Sequence, residues 1–70
     1  MEPRFLTLAD VKEILNLSMS ATRALVSSGE LPAIQIGGKR QWRVEASELE
    51  KYIERQYAVT RERIEAGEAS

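Results

Sequence analysis

The chain has 70 residues, of which 43% are hydrophobic and 30% charged, and its formal net charge at pH 7 is −1. This length allows one small domain, and the composition is that of a soluble globular protein rather than of a disordered or membrane protein. Cysteine and histidine are absent, which excludes disulfides, thiolate metal sites and histidine-based catalysis, while the lack of a signal-peptide pattern or long apolar run predicts a cytoplasmic location.

The stretch LTLADVKEILNLS predicts a first helix, helix 1, from about Leu8 to Leu15. Apolar residues recur along it at helical spacing. These residues are Leu8, Val11, Ile14 and Leu15. Thr7 is the expected N-cap, with Asp10 as an acidic capping-box partner three residues later. Asn16 tolerates a left-handed conformation and is expected to end the helix.

A second helix, helix 2, is predicted after only three residues, NLS. We expect Leu17 to be a buried turn residue, Ser18 to cap the new helix and Gly29 to stop it. Two short helices with so short a connection predict a helix-turn-helix. One arc of helix 2 is expected to pack and the opposite arc to face outward. The packing arc holds Thr22, Leu25 and Val26, and the outward arc holds Met19, Ser20, Arg23 and Ser27.

Residues 33–44 predict a two-stranded hairpin, or wing. Strand alternation divides its side chains between a side that packs and a polar side. The packing side is expected to hold Ile34, Ile36, Trp42 and Val44, and the polar side Gln35, Gln41 and Arg43. Gly37 and Gly38 are expected to supply the unusual backbone angles of a tight connection, which leaves Lys39 and Arg40 at an exposed tip.

The segment EASELEKYIERQYAVTRERIEAG predicts a third helix, helix 3, over residues 46–64. An apolar stripe lies on one side, and glutamates form a solvated side that pairs with Lys51 and Arg55. The stripe comprises Leu49, Tyr52, Ile53 and Tyr57. Residues 65–70 are expected to be a flexible tail. The predicted fold is therefore a single domain, residues 1–64, that is mainly α with a small β-hairpin: a winged helix-turn-helix.

These segments resemble the small winged helix-turn-helix DNA-binding proteins of the excisionase and MerR type. The resemblance runs from Phe5 to about Tyr57 and rests on the order and spacing of LTLADVKEILNLS, LVSSGELPAIQIGG and WRVEASELEKYI. The most specific part of this resemblance is the stretch SGELPA. Lys12 departs from the small residue favoured in such motifs, and Thr22 from the usual buried valine. The resemblance implies that double-stranded DNA is the partner, with helix 2 in the major groove and the wing on the adjacent backbone or minor groove.

Positive charge is concentrated where this contact is expected. Residues 16–44 carry four cations and one glutamate, whereas residues 45–70 carry four cations and seven glutamates. Arg23 is expected to be the best base reader, and Lys39 with Arg40 to clamp phosphates. The candidate DNA-contacting set is Thr7, Ser18, Met19, Ser20, Arg23, Ala24, Ser27, Lys39, Arg40 and Arg43.

No catalytic residues, cofactor, metal or small-molecule effector are expected, so the protein is predicted not to be an enzyme. The serines have no accompanying base, and the GG pair lacks the helix and lysine of a phosphate-binding loop. Further copies of the chain are a candidate partner through Tyr57, Thr60 and Ile64, which extend the apolar stripe of helix 3. The alternative is that this extension caps the helices of the same molecule.

Three functions remain open at this stage. The first is a small transcriptional regulator associated with the nucleoid. The second is an excisionase-like or architectural protein that bends DNA, which the shortage of base-reading side chains on helix 2 favours. The third is a protein-interaction adaptor that uses the helix-turn-helix scaffold without DNA.

Overall fold

The computed structural model describes residues 4–67. Its elements in chain order are β1 (Phe5–Leu6), α1 (Leu8–Leu15), α2 (Met19–Ser27), β2 (Ile34–Ile36), β3 (Gln41–Glu45) and α3 (Ala46–Glu65). The strands form one antiparallel sheet in the order β1-β3-β2. This mainly helical fold with a small sheet is the predicted winged helix-turn-helix arrangement. None of the helices within residues 4–67 is long and apolar enough to cross a membrane.

Helix α1 begins and ends at the predicted residues because both ends are capped locally. The Asp10 N–H donates to Thr7 Oγ1 at 3.1 Å, and the Thr7 N–H donates to Asp10 Oδ2 at 3.0 Å, which completes the capping box. Asn16 adopts the left-handed conformation, with φ 54° and ψ 49°. The Leu17 N–H then donates to Lys12 O at 3.0 Å and closes the helix.

Two apolar side chains of this region are exposed. The prediction that Leu17 is buried is wrong, since it is 36% exposed, and Ile14, which shares the helical spacing of the buried Leu8 and Val11, is 54% exposed. At 100° per residue, Ile14 lies about 60° beyond Val11, at the edge of the arc that packs. Leu17 follows the left-handed residue that turns the chain, and its side chain remains at the surface of the turn.

Helix α2 also follows its predicted caps. Ser18 Oγ accepts the Ala21 N–H at 3.1 Å, and Gly29, with φ 85°, ends the helix by donating its N–H to Val26 O at 3.3 Å. Thr22 is fully buried, and its hydroxyl donates to Ser18 O at 2.9 Å. The buried hydroxyl is therefore satisfied within its own helix, which explains how threonine occupies a core position.

A single hydrophobic cluster joins the helices to the sheet. Its buried members are Leu6, Leu8, Val11, Val26, Leu31, Val44 and Leu49. Leu31, which belongs to the SGELPA stretch, is the largest side chain that is fully buried. Trp42 packs against the cluster from the wing, as predicted. The wing and α2 are thus held by the same core.

The register of the wing differs from the predicted one. The cross-strand pairs are Ile34–Arg43, Gln35–Trp42 and Ile36–Gln41. Because paired residues in an antiparallel sheet project from the same face, Ile34 and Ile36 lie on the face of Arg43 and not on that of Trp42 and Val44. The two isoleucines are 50% and 47% exposed. The four-residue connection, 37–40, sets this register because it closes the hairpin on Ile36 and Gln41.

Strand β1 adds a third strand to the predicted hairpin and anchors the start of α3. Leu6 pairs with Val44 on the buried face of the sheet. Helix α3 follows β3 without a loop, and the Ala46 N–H donates to Arg4 O at 2.7 Å. Arg4 Nε also donates to Glu45 Oε2 at 3.0 Å. The residues before the first helix therefore fix the junction between the wing and the last helix.

Helix α3 extends one residue beyond the predicted end. Lys51 pairs with Glu48 at 3.6 Å, but Arg55 donates to Glu30 O at 3.4 Å and lies 5.9 Å from the centre of the Tyr52 ring. The expected pairing of Arg55 with a glutamate side chain of its own helix is thus replaced by a contact to the segment after α2. Part of the predicted tail, residues 68–70, lies outside the described residues, and residues 65–67 form the end of the helix and its cap.

Candidate nucleic-acid interface

The face of α2 opposite the core is exposed. It consists of Ser20, Arg23, Ala24 and Ser27. Arg23 is the only cation on it, and the Ser27 hydroxyl donates to Arg23 O at 2.8 Å. This face therefore presents one long basic side chain between small residues.

Met19 differs from the outward position predicted for it. It is half-buried and packs against the core. The reason is helical geometry: residues seven apart lie within about 20° of each other around a helix, and Met19 precedes the buried Val26 by seven. Met19 therefore belongs on the buried side of α2.

The amino ends of the two helices differ in electrostatics. At α1 the cap of Thr7 includes the carboxylate of Asp10, whereas the first turn of α2 contains no acidic residue. Ser18 Oγ caps α2 and lies 3.4 Å from Ser20 Oγ. Since backbone N–H groups at a helix start attract phosphate and a carboxylate repels it, the start of α2 suits a phosphate better than the start of α1.

Lys39 and Arg40 form the wing tip, and both are exposed, as predicted. The Arg40 N–H donates to Gly37 O at 3.1 Å and closes the turn. The left-handed residues are Gly37, with φ 80°, and Arg40, with φ 50°, whereas Gly38 does not adopt a positive φ. The prediction that the two glycines supply the unusual angles is therefore wrong for Gly38, whose role is taken by an arginine.

Arg40→Gly is expected to stabilise the fold by about 0.5–1 kcal/mol, because a side chain in the left-handed region is disfavoured relative to glycine. The same change should weaken DNA binding if Arg40 contacts phosphate. Chemical denaturation and a DNA titration of one preparation measure both effects. As the matched control, Lys39→Gly should lower stability, since Lys39 does not have a positive φ. Equal stability changes at the two positions would contradict the strain assigned to Arg40.

Arg43 lies on the outer face of the sheet, beside Ile34 in the register. Its guanidinium donates to Trp42 O at 2.7 Å and to Gln41 Oε1 at 3.2 Å. The side chain is thus half-buried and folded along its own strand. Contact with DNA would require it to release both acceptors. The apolar character of this face was missed from the sequence, although the even length of the wing connection was the signal for it.

The predicted residues therefore fall into separate groups. One is the exposed face of α2 with Ser18 at its start, the second is the wing tip, and the remaining two are Thr7, in the cap of α1, and Arg43, folded along β3. The core connects the first two groups, since Val26 of α2 and Val44 of β3 belong to one cluster. Basic side chains are therefore exposed on α2 and on the wing tip, and both elements are held by the same hydrophobic core.

Two helices linked by a three-residue turn, the second with one buried and one exposed face, define a helix-turn-helix domain. Residues 5–57 match the helix-turn-helix domain family, and the chain belongs to this family. No curated protein and no solved structure gave a significant match. The family supports a small DNA-binding protein and is typically non-enzymatic.

Proposed function

We propose that the protein is a small transcriptional regulator. It inserts α2 into the major groove and places the wing tip on the adjacent backbone or in the minor groove. The observation that carries this proposal is the exposed face of α2, where Arg23 is flanked by small side chains while the opposite face is buried. Small neighbours allow the helix to approach the bases closely, and membership of the helix-turn-helix family supports the same docking. Association with the nucleoid follows from DNA binding.

Each group has a chemical role in this docking. Arg23 donates two hydrogen bonds to the O6 and N7 atoms of a guanine, and Ala24 contacts a thymine methyl group. Ser20 and the start of α2 at Ser18 hold a phosphate. The wing tip neutralises phosphates without reading bases. If the protein is a regulator, recognition of the base sequence thus depends mainly on Arg23.

The other four candidate residues have secondary roles in the proposal because the structure engages them elsewhere. They are Thr7, Met19, Ser27 and Arg43. Thr7 and Ser27 form hydrogen bonds within their own helical segments, Met19 packs on the core, and Arg43 donates along β3. Removing their side chains is therefore a test of stability more than of DNA contact.

A second function is an excisionase-like or architectural protein that bends DNA. The observation that favours it is that Arg23 is the only long polar side chain on the exposed face of α2. With few base contacts available, such a protein recognises DNA shape and deformability. A third function, a protein-interaction adaptor, uses the same scaffold without DNA, and it predicts that neutralising the wing tip leaves cellular function intact.

Selection of bound fragments from random and genomic DNA separates these functions. We expect a short motif whose strongest position is a guanine read by Arg23. Bending without a motif would favour the architectural function, and no retention of DNA at low salt would contradict both.

Arg23→Ala is expected to lower affinity for the selected site by about 5–150-fold and to abolish preference at one base position, because a bidentate contact contributes about 1–3 kcal/mol of discrimination. Fluorescence anisotropy with the selected duplex and with single-base variants measures both quantities. Lys51→Ala, which removes a cation from the α3 pair with Glu48, is the control and should bind like the parent. An unchanged motif and affinity for Arg23→Ala would contradict the assigned role.

A single copy holds DNA weakly in this proposal. With Lys39 and Arg40 as the cations that neutralise phosphates, the salt slope is about −1.8, and affinity falls by roughly one decade between 50 and 200 mM salt. We therefore propose that further copies occupy neighbouring half-sites and contact one another through the extension of α3 at Tyr57, Thr60 and Ile64. Each bound copy then raises the effective concentration of the next.

A further inference from the structure

The second half of α3 buries no side chain against the rest of the described chain, and its one hydrogen bond to another segment there runs from Arg55 to Glu30 O. Leu49 is buried and Ile53 is half-buried, but every residue from Glu54 to Gly67 is exposed. The ion pairs formed among residues 4–67 join Arg4 to Glu45 and Lys51 to Glu48, and neither lies in this half. An isolated helix of this length is marginal in water. The distal helix, defined as residues 54–65, therefore lacks the packing that usually supports a helix.

A mainly apolar seam continues from the core onto the distal helix. It begins at Ile53, which packs against the core just before the distal helix, and continues through Tyr57, Thr60 and Ile64. The spacing of four, three and four residues is the pattern of a helix that pairs with another helix. Tyr57 is 71% exposed and Ile64 is 58% exposed. Tyr57 and Thr60 line two consecutive grooves, the first of which reaches Leu15 of α1, so the seam is continuous with the core side of the domain.

Charged residues beside the seam favour a second copy of the same helix as the binding partner and favour its antiparallel orientation. Glu54 and Arg61 are seven residues apart and flank the seam on the same side. If a second copy lies antiparallel, with Ile53 opposite Ile64 and Tyr57 opposite Thr60, Glu54 of each copy meets Arg61 of the other. A parallel second copy would set Glu54 beside Leu49 and Arg61 beside Gln56, which gives no ion pair among residues 49–61. The seam and its charges are therefore complementary to themselves in the antiparallel direction.

We infer that the distal helix is a self-association surface on which two copies of this chain pair antiparallel about a two-fold axis. Four layers of seam residues form the contact, and two Glu54–Arg61 ion pairs border it. This inference gives a geometry to the self-association proposed above and does not rest on DNA binding. The seam is only about 18 Å long at about 1.5 Å per residue. Because so short a contact is far below the area of standard stable interfaces, the dimer is weak and reversible.

Sedimentation equilibrium of the full chain without DNA, from about 10 μM to 1 mM, tests the pairing. We expect a reversible increase in mass from monomer toward dimer. Glu54→Arg and Arg61→Glu should each weaken association at least fivefold, because each single change creates two like-charge contacts in the dimer. The double variant, which restores both pairs with reversed sign, should return to within about threefold of the parent.

The rescue reports contacts between copies, since Glu54 and Arg61 are about 10 Å apart along their own helix and cannot pair within one chain. Glu62→Arg is the matched control, because it makes the same charge change on the opposite side of the helix and should leave association unchanged. Far-ultraviolet circular dichroism of every variant checks that the fold is intact.

Three results would overturn the inference. They are a monomer mass that does not change up to 1 mM, a double variant that associates no better than the single ones, and a Glu62→Arg variant as defective as Glu54→Arg. DNA titration of the same proteins distinguishes this failure from that of the proposed function. A chain that remains monomeric but retains DNA leaves the proposed function standing, whereas a chain that associates but does not retain DNA contradicts only the proposed function.

Discussion

Leu31→Ala is expected to leave the protein largely unfolded at 25 °C. Leu31 is completely buried: its exposed fraction is 0%, and it is the largest of the fully buried side chains. Its N–H donates to Leu25 O at 3.1 Å, and this bond opposes a backbone movement that would fill the cavity. Such truncations cost about 2–5 kcal/mol. Small domains have little more stability than this in total.

Urea denaturation followed by far-ultraviolet circular dichroism measures this loss. Ile34→Ala is the control, because Ile34 is 50% exposed on the outer face of the sheet. We expect the control to change the free energy of unfolding by less than about 1 kcal/mol, as surface substitutions usually do. A Leu31→Ala protein that unfolds at nearly the parental urea concentration would show that this residue does not hold the core together.

Replacing both cations of the wing tip, as Lys39→Gln with Arg40→Gln, is expected to weaken DNA binding by about 10–100-fold near 100 mM salt. Each neutralised phosphate contributes about 0.9 to the salt slope. Because these are the two cations assigned to phosphates, the slope should fall from about −1.8 to near zero. The fold should remain intact because both side chains are exposed and the turn is closed by backbone atoms.

Anisotropy titrations between 50 and 200 mM salt measure both the affinity and the slope. Lys12→Gln with Lys51→Gln is the matched control, since it removes the same charge from α1 and α3 and should leave the slope near that of the parent. If the two double variants lose affinity equally, net charge and not the wing tip governs binding, and the proposed docking fails.

The helix boundaries could be predicted because local contacts determine them. The reciprocal bonds of Thr7 and Asp10, the cap at Ser18 and the left-handed turn at Asn16 involve residues within four positions of each other. Such contacts depend little on the rest of the fold. The exposed position of Arg23 follows from the same helical periodicity, which is why the centre of the candidate interface could be found from sequence.

The wing could not be predicted to the same depth because its register depends on the geometry of the connection. Arg40 adopts a conformation that the sequence assigned to glycine, and the resulting turn places Ile34 and Ile36 on the face of Arg43. The bonds that hold the Arg43 guanidinium depend on this face. Strand β1 pairs with residues about 40 positions away, a contact that no local pattern indicates.

The direct passage from β3 into α3 has a consequence for how copies are arranged on DNA. No residues separate the strand from the helix, and the Ala46 N–H donates to Arg4 O, so no flexible linker lies between the DNA-binding part of the chain and the start of α3. A dimer paired through α3 would therefore hold its two DNA-binding faces at one separation and could not adapt to half-sites at different distances. Its operator would be an inverted repeat of one fixed spacing, and inserting half a helical turn between the halves would turn the second site out of reach.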